Sequence, residues 1–232
     1  MANKLAVVAI GGNSLIKDEK HKTVEDQYSA AKETTFHIAD MIEAGWDVAI
    51  GHGNGPQVGF IFRRSEIAAK VEGMHEVPLD VCGADSQGAI GYSLQQTLQN
   101  ELYRRGIKKS IATVVTQVLV DKDDPAFKKP SKPIGSFMDE TEAKRRETEM
   151  GWSVVEDAGR GWRRVVASPL PKEVVELEAV NALINTGTVV ITVGGGGIPV
   201  IDASDHEYRG VAAVIDKDFA SSLLARLLKA DL

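Results

Sequence analysis

The sequence predicts an α/β fold: a three-layer αβα sandwich on a mainly parallel sheet, with an inserted subdomain protruding from it. Three observations carry this. Apolar runs alternate with amphipathic stretches along most of the 232 residues, the pattern of strands and their covering helices. Three apolar runs break into glycine-rich turns, AVVAIGGNS at 6–14, VAIGHGNGPQVG at 48–59 and VVITVGGGGIPV at 189–200. One stretch, from about 123 to 168, leaves the alternation and reads as an insertion.

Each element has its own justification. Leu5 to Ile10 is the first strand. Thr23 is placed to cap a helix, with Asp26 completing a capping box. Val24, Tyr28, Ala31, Thr35, Ile38 and Ile42 follow at helical spacing, and Gly45 is a natural stop. Asp47 to Ile50 is the second strand, and helices are expected over Phe60–Val71 and Ala84–Arg105, the latter ended by Gly106. Ile111 to Val120 is rich in β-branched residues and reads as one strand. Pro171 suits the first turn of a helix ending before Gly187. Thr188–Val193 and Val211–Ile215 read as strands. Asp216 then caps a last helix with Phe219, Leu223, Leu227 and Ala230 on one face. The insertion opens Pro-rich (DDPAFKKPSKPIG), continues as a charged helix over Asp139–Met150, and ends in two short strands within WSVVEDAGRGWRRVVAS. Ordered insertions of this length act as lids or interfaces.

Composition narrows the function. Hydrophobic content of 43% and charged content of 26% are those of a globular protein. The formal charge of −6, from 27 basic and 33 acidic residues, argues against a nucleic-acid binder. The basic clusters (Lys128, Lys129, Lys132; Lys144, Arg145, Arg146; Arg160, Arg163, Arg164) are interrupted by acids and read as solvated surface. The single cysteine, Cys82, allows no intrachain disulfide, which fits a reducing cytoplasm. The apolar run at Leu5–Ile10 is too short for a signal peptide, and no segment reaches membrane-spanning length.

The glycine turns carry the chemistry. Each follows a buried strand, where glycine lets backbone N–H groups approach an anion with no Cβ in the way. A following helix adds its positive end. In open α/β sheets ligands sit at the carboxyl ends of the strands, so three such turns point to one phosphate or carboxylate. Neither a Walker A loop nor a Rossmann fingerprint is present, since GHGNGP carries Pro56 and no GK[ST] occurs. Lys132, between Pro130 and Pro133, is either a surface lysine or a cation stiffly held over the sheet. Lys217 stands at a helix N-terminus, where the macrodipole disfavours cations, beside Asp216 and Asp218. A lysine held there is expected to meet an anion, although both aspartates also suit plain capping. Lysines, amides and a nearby acid are the parts of phosphoryl transfer. The five histidines show no metal-ligand spacing; only His52 is placed near the site. GxSxG is absent, and Trp152 and Trp162 read as packing for the insertion.

Eight motifs in order, AIGGNS, GNGPQVG, PLDVCGADSQGAIGY, TQVLVD, PSKPIG, EDAGRGWRRVVASP, GGGGIPV and AVIDKDFAS, resemble carbamate kinase of the amino acid kinase superfamily. The resemblance implies reversible phosphoryl transfer between ATP and carbamate with Mg²⁺ on the nucleotide phosphates, giving ADP and carbamoyl phosphate. In arginine catabolism it often runs toward ATP. It implies that Gly11, Gly12 and Asn13, with Gly53, Asn54 and Gly55, hold the carbamate side and the moving phosphoryl group. Gly194, Gly195, Gly196 and Gly197 would line the same cavity. Lys132 and Lys217 would neutralise phosphoryl oxygens, and Asp218 would orient the lysines. Many relatives carry a lysine two residues before the first double glycine; here that position is Ala9, and the resemblance assigns the charge to Lys132. It also implies a homodimer in the cytoplasm and no membrane or nucleic-acid partner. Residues 1–210 would form the carbamate and phosphoryl domain, and 211–232 the start of the nucleotide domain. Carbamate kinases continue well past Leu232, so most of the adenine pocket and a further phosphate-contacting lysine are expected outside these residues. A different superfamily kinase, or a fragment that only binds carbamoyl phosphate or dimerises, are the competing readings.

Overall fold

A computed structural model describes residues 4–11, 14–16, 21, 23–157, 159–204 and 207–232. Its centre is a wholly parallel four-stranded sheet, in the order β1 (Leu5–Ile10), β2 (Asp47–His52), β9 (Val189–Ile191), β3 (Ile111–Thr113). Strand alternation sends successive side chains to opposite faces. Val48, Ile50, Val189 and Ile191 pack under α1 (Val24–Glu43) and α3 (Leu79–Arg104). Ala49 and Val190 face the other way, against α5 (Leu177–Asn185) and α6 (Lys217–Leu228). The two cores on either side of the sheet make the three layers.

The first helix forms as its sequence dictates. Thr23 Oγ1 accepts from the Asp26 N–H at 3.1 Å, and an Asp26 carboxylate oxygen accepts from the Thr23 N–H at 3.0 Å. Thr23→Ala is therefore expected to cost about 1 kcal/mol, measurable as a lower urea midpoint with unchanged slope.

A second, mixed sheet runs β11 (Tyr208–Gly210), β10 (Ile198–Asp202), β4 (Gln117–Val120), β8 (Pro171–Val174). Four expectations change here. The expected single strand over 111–120 is two strands in two sheets. Thr116 breaks it: its N–H is taken by Gln87 Oε1 at 2.8 Å and its hydroxyl bonds Val114 O at 2.7 Å. Pro171 opens β8 rather than a helix, at a strand's first residue, where a missing N–H does no harm. Residues 211–215 form only a bridge, Ala167 to Ala213, because the chain changes partner within them: the Val211 N–H still bonds Pro199 O on β10 at 3.0 Å, whereas the Val214 N–H bonds Ala167 O at 2.9 Å. The final helix buries Ala220, Leu223 and Leu224, leaving Phe219 57% exposed.

The insertion folds as a lobe. Antiparallel strands β5 (Lys132–Met138), β7 (Trp162–Val166) and β6 (Ser153–Glu156) pair in that order, with α4 (Glu140–Met150) across them. The Pro-rich lead thus supplies a strand that its composition hid. The lobe rests on α2 (Gly55–Glu72), where Gly59 and Gly135 touch backbone to backbone.

Candidate active site

The carboxyl ends of β1, β2 and β9 bring the glycine loops to one cleft of about 310 Å³. Its lining includes Gly53, Asn54, Gly55, Gly195, Lys132, Lys217 and Asp218. Gly11 borders it, since a Cβ there would lie 3.9 Å from Lys217 Cε. Gly12 and Asn13 lie outside the described residues. Gly194, Gly196 and Gly197 are buried behind Gly195 and build the loop's shape.

That loop has no room for side chains. A Cβ at Gly194 would stand 2.4 Å from His52 Nε2, and one at Gly195 2.2 Å from Asn54 Nδ2. Val193, just before it, takes φ +44°, a left-handed conformation that costs a β-branched residue about 1–3 kcal/mol. A buried network secures this turn. Gln87 Nε2 donates to Gly194 O at 2.9 Å and Thr116 O at 3.0 Å, while the Val193 N–H reaches Thr116 Oγ1 at 3.2 Å.

The second loop leads into α2 with its first-turn amides unspent by the cap. Asn54 sits at the N-cap, yet its side chain makes no capping bond and donates instead to Ser86 Oγ at 2.8 Å. The helix's positive end therefore opens on the cleft, available to an anion.

Cations meet there from two directions. Lys132 reaches in from the lobe and bonds Asp216 Oδ2 at 2.5 Å. Lys217, at the start of α6, bonds Asp218 Oδ1 at 2.5 Å. Asp216 also caps α6, its other oxygen accepting from the Asp218 N–H at 2.9 Å. Burial pushes the Asp216 carboxyl pKa up, but the bonds from Lys132 and the Asp218 N–H outweigh it and the net shift is downward. The sequence reading gave Asp216 the cap alone and missed its grip on Lys132, for which no local signal exists. Arg163, read as surface, also lines the cleft, and its guanidinium donates to Gly135 O at 3.0 Å. Strand alternation in RGWRRVV places Arg163 and Arg164 on opposite faces.

His52 is 1% exposed, with Nδ1 3.1 Å from Gly53 O. Burial lowers its pKa from 6.5 to about 4, against a smaller raising effect of that backbone contact. It is neutral at pH 7 and supplies packing under the glycine loop. The unfolded chain binds this proton more readily, so stability is full above pH 6.5 and falls as pH drops toward 4. The stability margin of the protein over His52→Gln should shrink by about 3 kcal/mol across that window. Urea unfolding at pH 7, 5 and 4 checks it; a constant margin would contradict it.

Comparison with known proteins agrees with this fold. Residues 4–232 match the amino acid kinase family. The chain is 52% identical over 226 residues to the carbamate kinase of Clostridium perfringens, covering 97% of this chain and 72% of that protein. It is 52% identical over 230 residues to the carbamate kinase-like protein YahI of Escherichia coli, covering 99% and 72%. A carbamate kinase from Giardia lamblia, 42% identical, superposes with TM-score 0.94 when bound to citric acid (99% of this chain, 73% of that one). Bound to AMP-PNP, it superposes with TM-score 0.87 (99% and 72%). The family match over residues 4–232, with relatives 52% identical over nearly the whole of this chain and 72% of their own length, makes this protein a member of the amino acid kinase family, among the carbamate kinases and their like.

Proposed function

We propose that the cleft transfers a phosphoryl group reversibly between ATP and carbamate, giving ADP and carbamoyl phosphate. The observation that carries this is the convergence of Lys132 and Lys217 on one cleft floored by glycine loops. A carbamate oxygen bonds to the γ-phosphorus while the bond from phosphorus to the ADP oxygen breaks. Carbamate is already an anion, so no general base is needed and no proton moves. The difficulty is bringing two anions together, which cations and amide dipoles solve by neutralisation and alignment.

In this reading Gly11, Gly12, Asn13, Gly53, Asn54 and Gly55 hold carbamate and the moving group, and Gly194, Gly195, Gly196 and Gly197 wall the cavity. Lys132 and Lys217 neutralise phosphoryl oxygens. Asp218 orients Lys217, and Asp216 shares that task for Lys132. Residues 1–210 serve the carbamate and phosphoryl half, and 211–232 open the nucleotide half. The AMP-PNP complex of the Giardia relative supports ATP as the donor. Mg²⁺ belongs on the nucleotide phosphates, where it supplies charge neutralisation. Among the described residues no three His, Cys, Asp or Glu side chains cluster to cage a metal. Beside its bond to Lys217, the carboxylate of Asp218 is 70% exposed at the cleft's mouth, where a hydrated ion on the nucleotide would meet it. The family likeness further supports a homodimer acting in the cytoplasm, and among the described residues no helix is long and apolar enough to cross a membrane.

The test is ATP formation from ADP, Mg²⁺ and carbamoyl phosphate, alongside acetylglutamyl phosphate and a nucleoside diphosphate as donors. ATP from carbamoyl phosphate alone is expected. ATP from another donor instead would assign a different acceptor, an outcome the similarity to YahI makes worth the control.

A further inference from the structure

A second cavity, of about 370 Å³, lies where the lobe meets α2, and among the described residues none lines both it and the phosphoryl cleft. It shares β5 with that cleft: Lys132 and Pro133 line the cleft, whereas Ile134 to Met138 line this cavity. Phe62, Phe137 and Trp152 give it an aromatic wall.

Its charge is one-sided. Among the described residues, four arginines, at 63, 64, 146 and 164, line it against one carboxylate, Glu66. Glu66 is 5% exposed on its side chain and already taken, accepting from Arg63 at 3.2 Å. Arg146 is held by Glu142 at 2.6 Å. Arg164 is the unfinished group. Its guanidinium lies between Phe62 and Trp152, 4.4 and 4.5 Å from their ring centres. Its Nη1 is buried with no hydrogen-bond partner among the described residues; Glu66 Oε1, 3.8 Å away, forms an ion pair with it but lies beyond hydrogen-bond reach. A buried donor left unmade costs about 1–3 kcal/mol, which an incoming acceptor would recover.

The complement of such a cavity is an anion on a flat apolar body. Inorganic phosphate would leave the apolar lining unfilled, and a neutral aromatic would leave the Nη1 donor without an acceptor. We propose that this cavity is a binding site for an aryl-substituted carboxylate, its ring among the apolar lining of Phe60, Ile134, Phe137 and Met138 and its carboxylate on Arg164. The ligand would bridge α2 and the lobe.

The experiment titrates the full chain with 4-phenylbutyrate and with 4-phenylbutan-1-ol, by calorimetry and tryptophan fluorescence. Saturable binding of the acid, at least about tenfold tighter than the alcohol, is expected, because one charge-assisted hydrogen bond is at stake. Arg164→Gln should weaken the acid about tenfold and leave the alcohol unchanged. Ser136→Trp, which fills the cavity from an exposed position on β5, should abolish both, and it decides the matter should Arg164→Gln fail to fold. Carbamoyl phosphate and ADP should not displace the acid. Equal binding of acid and alcohol, no saturable binding, binding that survives Ser136→Trp, or displacement by carbamoyl phosphate would each overturn the assignment.

Discussion

Replacing Lys217 by alanine is expected to lower phosphoryl transfer at least about 100-fold, the scale of losing one preorganised electrostatic donor. The same substitution should leave the fold as stable as before or slightly more so. Lys217 is a cation in the first turn of α6, where the helix dipole opposes it by about 0.3–1 kcal/mol. Its ion-pair partner among the described residues, Asp218, is 70% exposed, and an exposed pair of this kind adds little. Activity and stability should therefore move in different directions, and a merely structural lysine would not produce that split. Lys132→Ala should cost a comparable factor from the opposite wall. If both lysines act on the same phosphoryl oxygens, the double variant should lose less than the product of the single losses. The measurements are initial rates of ATP formation and urea midpoints for the three variants. Near-normal turnover in Lys217→Ala would remove it from the chemistry.

The parts of this site that are local in sequence were legible there. Thr23 and Asp26 announce the start of α1, and Asp216 announces the start of α6, because a cap is a short-range contact. The glycine turns could be read because a strand ending in a turn free of Cβ atoms is a local feature; the turn after β2 runs into α2 as expected, whereas the one after β9 leads into β10. What stayed hidden is held by long-range contacts. The stretch 111–120 is uniformly β-branched, and only Gln87, 29 residues away, reveals that Thr116 must turn out of one sheet and into another. Asp216 and Lys132 are 84 residues apart, so one carboxylate serving as both cap and lysine partner has no signature in IDKDFA. Ile134 pairs with Arg164, a register that the prolines of the lead disguised as loop.

Gly59→Ala carries the other large effect, through the lobe rather than the cleft itself. A Cβ at Gly59 would lie 2.1 Å from Gly135 Cα and 2.3 Å from Gly135 N. Both are backbone atoms, so no flexible side chain can yield, and β5 must move off α2. Lys132 stands three residues earlier on that strand, at 2.5 Å from Asp216. A displacement of about 1 Å at a reacting group can cost on the order of 100-fold, and a loss approaching that size is expected in turnover. The sign of the stability change makes the test sharp. Within a helix, glycine to alanine ordinarily stabilises by about 0.5–1 kcal/mol, so α2 alone would gain from this substitution. A fall in both rate and melting temperature would show that the contact with the lobe outweighs the helix. Gly135→Ala is the matched control. Its Cβ would find Gly59 Cα at 3.7 Å, an ordinary contact, but the residue has φ +70°. It should lose about 1–2 kcal/mol of stability to backbone strain while keeping more of its turnover than Gly59→Ala. If Gly59→Ala instead turns over normally and melts higher, the close approach of α2 and β5 does not position Lys132.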